Sequence, residues 1–504
     1  MYSHPKRVTQ ALGEGTSYRS IFKATSLFGG VQVIQVILNL VRGKVIAVLL
    51  GAAGVGLNSL FISSVSMISN ISGLGLSFTA VRDIAKAKES GDLERLSIII
   101  KIFKRWLYAT AFLGFAGVLI FSPLLSIYTF KSYEYTVPFM FLAFMLLFGS
   151  LSAGNASILQ GTRNLKKYAL HTLTGSLVGL IVSVPFYYIF GIKGVVPALI
   201  VSAFITFLFS IYYTSKIEIK SVSVSWKESY TQGLDMVKLG VAMMISVSIG
   251  SLVHYLINTY ISNSGSIADL GLYQAGMAIT SQSIGLVFTA MAIDYYPRLS
   301  AISDNNEKVK QMVNQQGEIT MLIATPVLII LSVAAPLVIR LLYSSEFLPI
   351  VGFLRVIAFG MMFKAASYSI GAISFSKGDK KVFFFLEGIY MNASILLFSV
   401  IGYKINGLTG LSWAYLSMHI VYFIVINIVT KKLYNFSIDK ALRKILFTSI
   451  LLMLALYLVI HYAPLGYTYP IASSLALISV IYSYIEIDKL IGVRELLNKI
   501  LKRK

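Results

Sequence analysis

Three features of this sequence predict an all-α integral membrane protein of about fourteen transmembrane helices. Its 504 residues are 56% hydrophobic and only 13% charged, with a mean hydropathy of +0.77, far outside the range of soluble domains. Apolar stretches of about 20 residues, enough to cross roughly 30 Å of hydrocarbon as helix, recur along almost the whole chain with short polar breaks. Lys and Arg gather in every second break, as they do on the cytoplasmic side of helical membrane proteins. Strand-type alternation of about ten residues per span is absent from the sequence, so helices and not a closed barrel are expected to satisfy the backbone.

In order, the spans are expected at residues 24–50, 56–79, 106–129, 135–160, 168–190, 194–214, 236–261, 268–293, 317–343, 348–374, 382–403, 407–430, 441–463 and 469–486. The polar start, MYSHPKRVTQALGEGTSYRSIFK, precedes an apolar stretch too long and too polar-striped for a cleaved signal, which predicts a retained first span. The even breaks hold Arg82, Lys86, Lys88 and Arg95, then Arg163, Lys166 and Lys167, then Lys216, Lys220 and Lys227. They continue with Arg298, Lys308 and Lys310, with Lys377, Lys380 and Lys381, with Lys431, Lys432, Lys440 and Arg443, and with the tail LNKILKRK. Odd breaks hold little beyond Lys131, Lys193 and Lys404, so both termini are expected in the cytoplasm. This topology also accounts for the formal charge of +22, which forms no continuous basic domain suited to nucleic acid. The charged stretch Ala80 to Trp106 fits two readings, a solvated connector or a helix lying along the inner surface. There is no cysteine, which excludes disulfides, thiolate metal sites and cysteine nucleophiles.

An internal repeat organises the spans. Gly56-Leu57 in GVGLNSL answers Gly271-Leu272 in DLGLYQA, Arg82 answers Arg298, and Pro123 of SPLL answers Pro336 of APLV, each about 215 residues on. Lys166-Lys167 of QGTRNLKKY and Gly194 of FGIKGVVPA meet Lys380-Lys381 and Gly407 at the same offset. Spans 1 to 6 and 7 to 12 are therefore expected to form two six-helix bundles related by a pseudo-two-fold along the membrane normal, with a ligand site between them. The lobes would be 1–219 and 220–432, leaving 433–504 for two extra helices and a basic cytoplasmic tail.

Polar stripes mark the candidate site. Gln32, Gln35, Asn39 and Arg42 are spaced 3, 4 and 3 along span 1, on one side of a helix. Ser59, Ser63, Ser66 and Asn70 run 4, 3 and 4 along span 2, with Asn58 beside them. In the second half, Ser251, His254 and Asn258 line span 7, and Gln274, Ser281 and Gln282 line span 8. Single hydroxyls and amides often only bind helices together, at about 0.6 to 2 kcal/mol each. Stripes at repeat-equivalent positions suggest instead a hydrated cavity suited to hydroxylated ligands. Arg42 and Lys44 could reach the headgroups, but the apolar run VIAVLL continues past them, and a charge in hydrocarbon costs at least about 2.5 kcal/mol, which favours a cavity. Span 10 adds Arg355 and Lys364, nine residues apart and so on opposite sides of an ideal helix.

Acids within the spans are few, so the cavity is expected to be cationic and to favour a phosphate or pyrophosphate. Glu387, Asp294 and His254 are candidates to carry a coupling ion. GAAGVG at 51–56 lacks the GK[ST] ending of a phosphate loop and reads as a turn between spans. No HExxH, GxSxG or paired intramembrane carboxylates occur, so neither an enzyme nor a metal or cofactor is expected.

RGKVIAVLLGAAGVGLNSLF, LGLSFTAVRDIAK, ASILQGTRNLKKYAL, FGIKGVVPALI, GLYQAGMAI and YYPRLSAI resemble the O-antigen and oligosaccharide flippases of the multidrug/oligosaccharidyl-lipid/polysaccharide exporter superfamily, over about residues 18 to 432. The resemblance implies a bacterial inner-membrane protein that moves an undecaprenyl-pyrophosphate-linked oligosaccharide from the inner to the outer leaflet by alternating access. It implies Arg42, Lys44 and Lys364 at the pyrophosphate and the Gln, Asn and Ser stripes at the sugars. Membrane lipid, a polysaccharide polymerase and glycosyltransferases would be its partners. Twelve spans are usual among such flippases; fourteen resemble the lipid II flippases, whose extra pair helps form a groove for the lipid tail, but their proline-containing motif is missing from GLNSLFISSVSMISN. Span 1 also lacks the acid that many multidrug extruders carry there. An ion-coupled small-molecule antiporter, a lipid II-type flippase and a non-transporting scaffold for glycan assembly stay open as rivals.

Overall fold

The computed structural model describes the backbone of residues 11–491 and the side chains of 30–490, apart from 242, 246, 286, 287, 289–294 and 465. The basic tail and the Asp294 side chain lie outside the described residues. The described chain is helical from end to end: α1 (Ala11–Ser72), α2 (Leu76–Glu89), α3 (Leu93–Phe130), α4 (Thr136–Gly161), α5 (Leu165–Phe190), α6 (Val195–Thr214), α7 (Trp226–Ser264) and α8 (Ile267–Ala301). There follow α9 (Asn306–Val333), α10 (Ala335–Leu342), α11 (Val351–Ser376), α12 (Lys380–Phe383), a π-helical turn at Phe384–Tyr390, α13 (Met391–Tyr434), α14 (Lys440–Tyr462) and α15 (Leu465–Ile491).

Among the described residues nine helices, or ten if one bent pair counts as a span, are long and apolar enough to cross a membrane. Several are broken where the sequence places a turn. Gly51 (φ 67°) interrupts α1, Asn406 and Gly407 interrupt α13, and Gly191–Gly194 forms a short 3-10 turn between α5 and α6. The glycines with left-handed φ at the last two breaks are Gly191 (55°) and Gly407 (49°), whereas Gly194, which the repeat matches to Gly407, has ordinary helical backbone.

Helices overrun several expected spans, because caps and charged turns extend them past the apolar stretch. The third begins at Leu93, where the Asp92 carboxylate accepts from the backbone N–H of Glu94 and Arg95 at 2.9 and 3.0 Å, and not at 106. The ninth begins at Asn306 behind an Asn305 cap and ends at Val333. The stretch Ala80 to Trp106 is not a loose connector. It holds the end of α2 and the start of α3, and the apolar face of α2, with Leu76, Ala80, Ile84 and Ala87, is buried against α3 and α4.

Packing divides the chain into two compact units, one of residues up to Val45 with Phe61–Ser251, the other of Ile46–Leu60 with residues from Leu252 on. This grouping follows contacts, whereas the sequence boundaries at 219/220 and 432/433 follow the repeat. In the first unit α5 packs on α6, and α4 on α3 and α6, around Ile84, Ile100, Phe103 and Ile158. The linker before α7 and the first turn of α7 are fastened to α3: Lys101 donates to the Val222 carbonyl, Trp106 Nε1 to the Ser229 carbonyl at 2.9 Å, and the Arg105 guanidinium lies 4.4 Å over the Trp226 ring. In the second unit α11 lies at the centre, against α8, α9 and α13, and α14 and α15 pack on α9.

Two glycine positions in the second unit fix its first helix. Gly51 adopts a left-handed φ, and the Glu346 carboxylate occupies the side where a Cβ would lie, 2.8 Å away. That carboxylate accepts the backbone N–H of Ala52 at 3.0 Å, so an acid from beyond α10 caps the helix that restarts after the break. Glu346→Ala is expected to cost about 0.5 to 2 kcal/mol and Glu346→Gln less, read as an ordered fall in thermal midpoint in detergent. Further on, α1 crosses α8 at Gly56 and Gly271. A Cβ on Gly56 would lie 1.9 Å from the Ile267 carbonyl oxygen, and one on Gly271 would lie 1.8 Å from that of Ala52. The contact is reciprocal, since 52 answers 267 at the repeat offset just as 56 answers 271.

Candidate functional site

Within the first unit the span 1 stripe divides in two. Gln35 and Arg42, seven residues apart, turn toward α5 and α6. Gln35 Nε2 donates to the Thr172 carbonyl at 2.9 Å and to Ser176 Oγ at 3.0 Å, and Arg42 Nη2 donates to Ser202 Oγ at 3.1 Å. Gln32 and Asn39, about 60° round the helix, are exposed. Lys44 is half-buried. Asn70 Nδ2 donates to Ser251 Oγ at 2.6 Å, so the stripes of spans 2 and 7 meet at that level.

Within the second unit Asn258 is fully buried and its Oδ1 accepts from Gln274 Nε2 at 2.7 Å. Asn258 Nδ2, Asn58 Oδ1 and Gln282 Oε1 are buried polar atoms without a hydrogen-bond partner among the described residues. Such groups are rare in proteins unless a ligand or water meets them. His254, one turn from Asn258, is exposed.

Lys364 and Glu387, in different spans, come within electrostatic reach of each other, with His419 also near Lys364. Glu387 sits in the π-helical turn, a form of helix that often marks functional positions. Tyr422 donates its hydroxyl to the Glu387 carboxylate, and Asn392 Nδ2 donates to the Gly388 carbonyl at 2.7 Å, holding the turn. Gly371 leaves room for the acid, because a Cβ there would lie 3.0 Å from Glu387 Oε1. Tyr296 lies within electrostatic reach of Glu387, and Tyr368, stacked on Phe288 at 4.5 Å, is beside Tyr296. Nothing in the sequence pointed to Tyr422 or Tyr368, and Tyr296 showed only as part of the YY of DYYPRLS. Arg355 is not brought to Lys364. Its Nε donates to the Ser332 carbonyl at 3.1 Å, and its side chain lines a separate cavity. No group of metal-ligating side chains occurs among the described residues.

A family model described as polysaccharide biosynthesis protein matches residues 45–352. The lipid III flippases of Escherichia coli (strain K12) and Shigella flexneri are each 20% identical to this chain over 412 residues, which is 80% of it and 96% of theirs. Among solved structures, the lipid II flippase MurJ in an inward closed conformation matches with a TM-score of 0.68 at 17% identity, over 92% of this chain and 99% of that one. An inward-facing multidrug resistance transporter of the MATE family, in the MOP superfamily, matches at 0.67 and 18% identity, over 81% and 96%. The fold is thus the all-helical one of these transporters, and the relatives are flippases and transporters, not enzymes. With apolar helices along its length and a match covering most of its first two-thirds, this multi-pass membrane protein belongs to the polysaccharide biosynthesis protein family.

Proposed function

We propose that this protein is a flippase for an undecaprenyl-pyrophosphate-linked oligosaccharide of the O-antigen type, carrying it from the inner to the outer leaflet of a bacterial inner membrane by alternating access. In this reading the chain crosses the membrane fourteen times with both termini in the cytoplasm, and the two repeats, 1–219 and 220–432, act as lobes beside the extra pair in 433–504. The observation that carries the proposal is the set of buried polar atoms on Asn58, Asn258 and Gln282 without a partner among the described residues, in a member of the polysaccharide biosynthesis protein family. Hydroxylated sugars supply the missing donors and acceptors, with the exposed Gln32, Asn39 and His254 as further contacts. Arg42, Lys44 and Lys364 would meet the pyrophosphate, and Glu387 would carry the coupling proton, with Asp294 and His254 as alternative carriers. A polysaccharide polymerase and glycosyltransferases are the partners this reading implies.

Arg42→Ala and Lys364→Ala are each expected to leave a folded, membrane-inserted protein and to reduce surface glycan at least about tenfold in a strain depending on this flippase. Normal surface glycan in both variants would remove the proposal. The Glu387 and Tyr422 pair also suits an ion-coupled small-molecule antiporter. A deletion strain with altered drug susceptibility and unaltered glycan would favour that second reading.

A further inference from the structure

Arg355 belongs to surroundings unlike those of Lys364. Beside it, wholly within the second unit, lies a cavity of about 340 Å³. Its walls are the end of α9, the start of α11, the segment of α13 that follows the Asn406–Gly407 break, and the end of α14. From these walls α11 runs to Lys377 and α13 to Lys431 and Lys432, while α14 arrives from Lys440. The cavity therefore lies at the ends of these helices remote from the basic breaks.

The chemistry of the walls is divided. Val356, Met453 and Leu456 make one part apolar. Trp413 meets Tyr457 edge-on with centroids 5.6 Å apart, and Tyr457 stacks on His461 at 5.5 Å and 13°, forming an aromatic shelf of the kind found where protein meets the membrane interface. Arg355 supplies the permanent charge, and among the described residues no carboxylate lines the cavity. Its Nε donates to the Ser332 carbonyl, which fixes the plane of the guanidinium. A guanidinium carries five donors and grips an oxyanion in bidentate fashion, so Ser332 and the neighbouring Tyr469 leave donors for one.

We propose that this cavity binds an anionic glycerophospholipid from the leaflet remote from the basic breaks, its phosphodiester on Arg355 and an acyl chain along Val356, Met453 and Leu456. A single fixed cation matches the single charge of a phosphodiester. A pyrophosphate carries more charge than one guanidinium balances, and a free phosphate has no use for the apolar part. The lipid is thus distinct from the transported one, and the site does not depend on the transport reading.

The test is native mass spectrometry of the full-length protein in detergent, offered phosphatidylglycerol, phosphatidylcholine, undecaprenyl phosphate or inorganic phosphate. The wild type is expected to retain one phosphatidylglycerol in preference to phosphatidylcholine, and inorganic phosphate to leave it bound. Arg355→Gln should weaken retention at least about tenfold, the loss of a charge-assisted bidentate contact, and Arg355→Lys should fall between the two. Met453→Trp, which fills the apolar part and keeps the guanidinium, should also expel the lipid, so that the proposal stands or falls even if one variant fails to fold. Equal retention by wild type, Arg355→Lys and Met453→Trp would overturn it. So would displacement by inorganic phosphate, which would make this a plain anion site, or preferential retention of undecaprenyl phosphate, which would give it to the carrier.

Discussion

Gly56→Leu is expected to remove folded protein from detergent extracts, not merely to slow transport. Close approach of small residues is how helices associate in lipid, where no hydrophobic effect drives them together. At this crossing the obstacle to a side chain is backbone, the Ile267 carbonyl oxygen at 1.9 Å, and it cannot swing aside as a side-chain tip would. Overpacking costs about 1 to 3 kcal/mol where neighbours yield, and more is expected here. Gly271→Leu should match it, because the Ala52 carbonyl stands in the same relation to that residue. Gly149→Ala is the control, with nothing within 4 Å of the added carbon, and should be tolerated. Size-exclusion elution and a thermal ramp of the three variants check this; a Gly56→Leu protein that elutes and melts like the wild type would contradict it.

The second large effect concerns Lys364 and Glu387. Removing either charge alone leaves the other in a helix interior without its counterpart, whereas removing both does not. Lys364→Met and Glu387→Gln are each expected to lower stability, with the double variant better than the sum of the two by about 1 to 3 kcal/mol, the coupling typical of residues in one network. Transport should not recover with stability: all three variants are expected to lose at least about tenfold in glycan export. A cycle that adds up without coupling would separate the two residues. Full export by the double variant would remove both from the proposed mechanism.

What could be read from the sequence, and what could not, follows from the range of the interactions. Breaks at Gly51, Gly191–Gly194 and Asn406–Gly407 were legible because a turn between spans needs residues that tolerate unusual backbone, and those stand out in apolar surroundings. Helix starts at Leu93, Trp226 and Asn306 were not, since hydropathy marks where a helix enters lipid and says nothing of a helix that continues into water. The stripe of Gln32, Gln35, Asn39 and Arg42 was legible as one face, but its division was not. Which edge of a face meets α5 and α6 depends on residues such as Thr172 and Ser202, more than 130 positions away. The same holds for Glu387, whose neighbours Lys364 and Tyr422 come from other helices, and for Glu346, whose role as a cap is invisible without the fold.

The crossing of Gly56 and Gly271 has the form of an isologous contact, the kind two identical subunits make about a two-fold axis. In a homodimer every substitution at such a contact is made twice, so both sides must tolerate the same residue. Here the two sides are separate codons of one chain, held together by covalent connection and not by concentration. The shared crossing can stay fixed while the surfaces around it diverge. At matching levels of the two repeats, one now carries Arg42 against Ser202 and the other Asn258 against Gln274. The crossing is thus symmetric in form, while the chemistry around it is free of that symmetry.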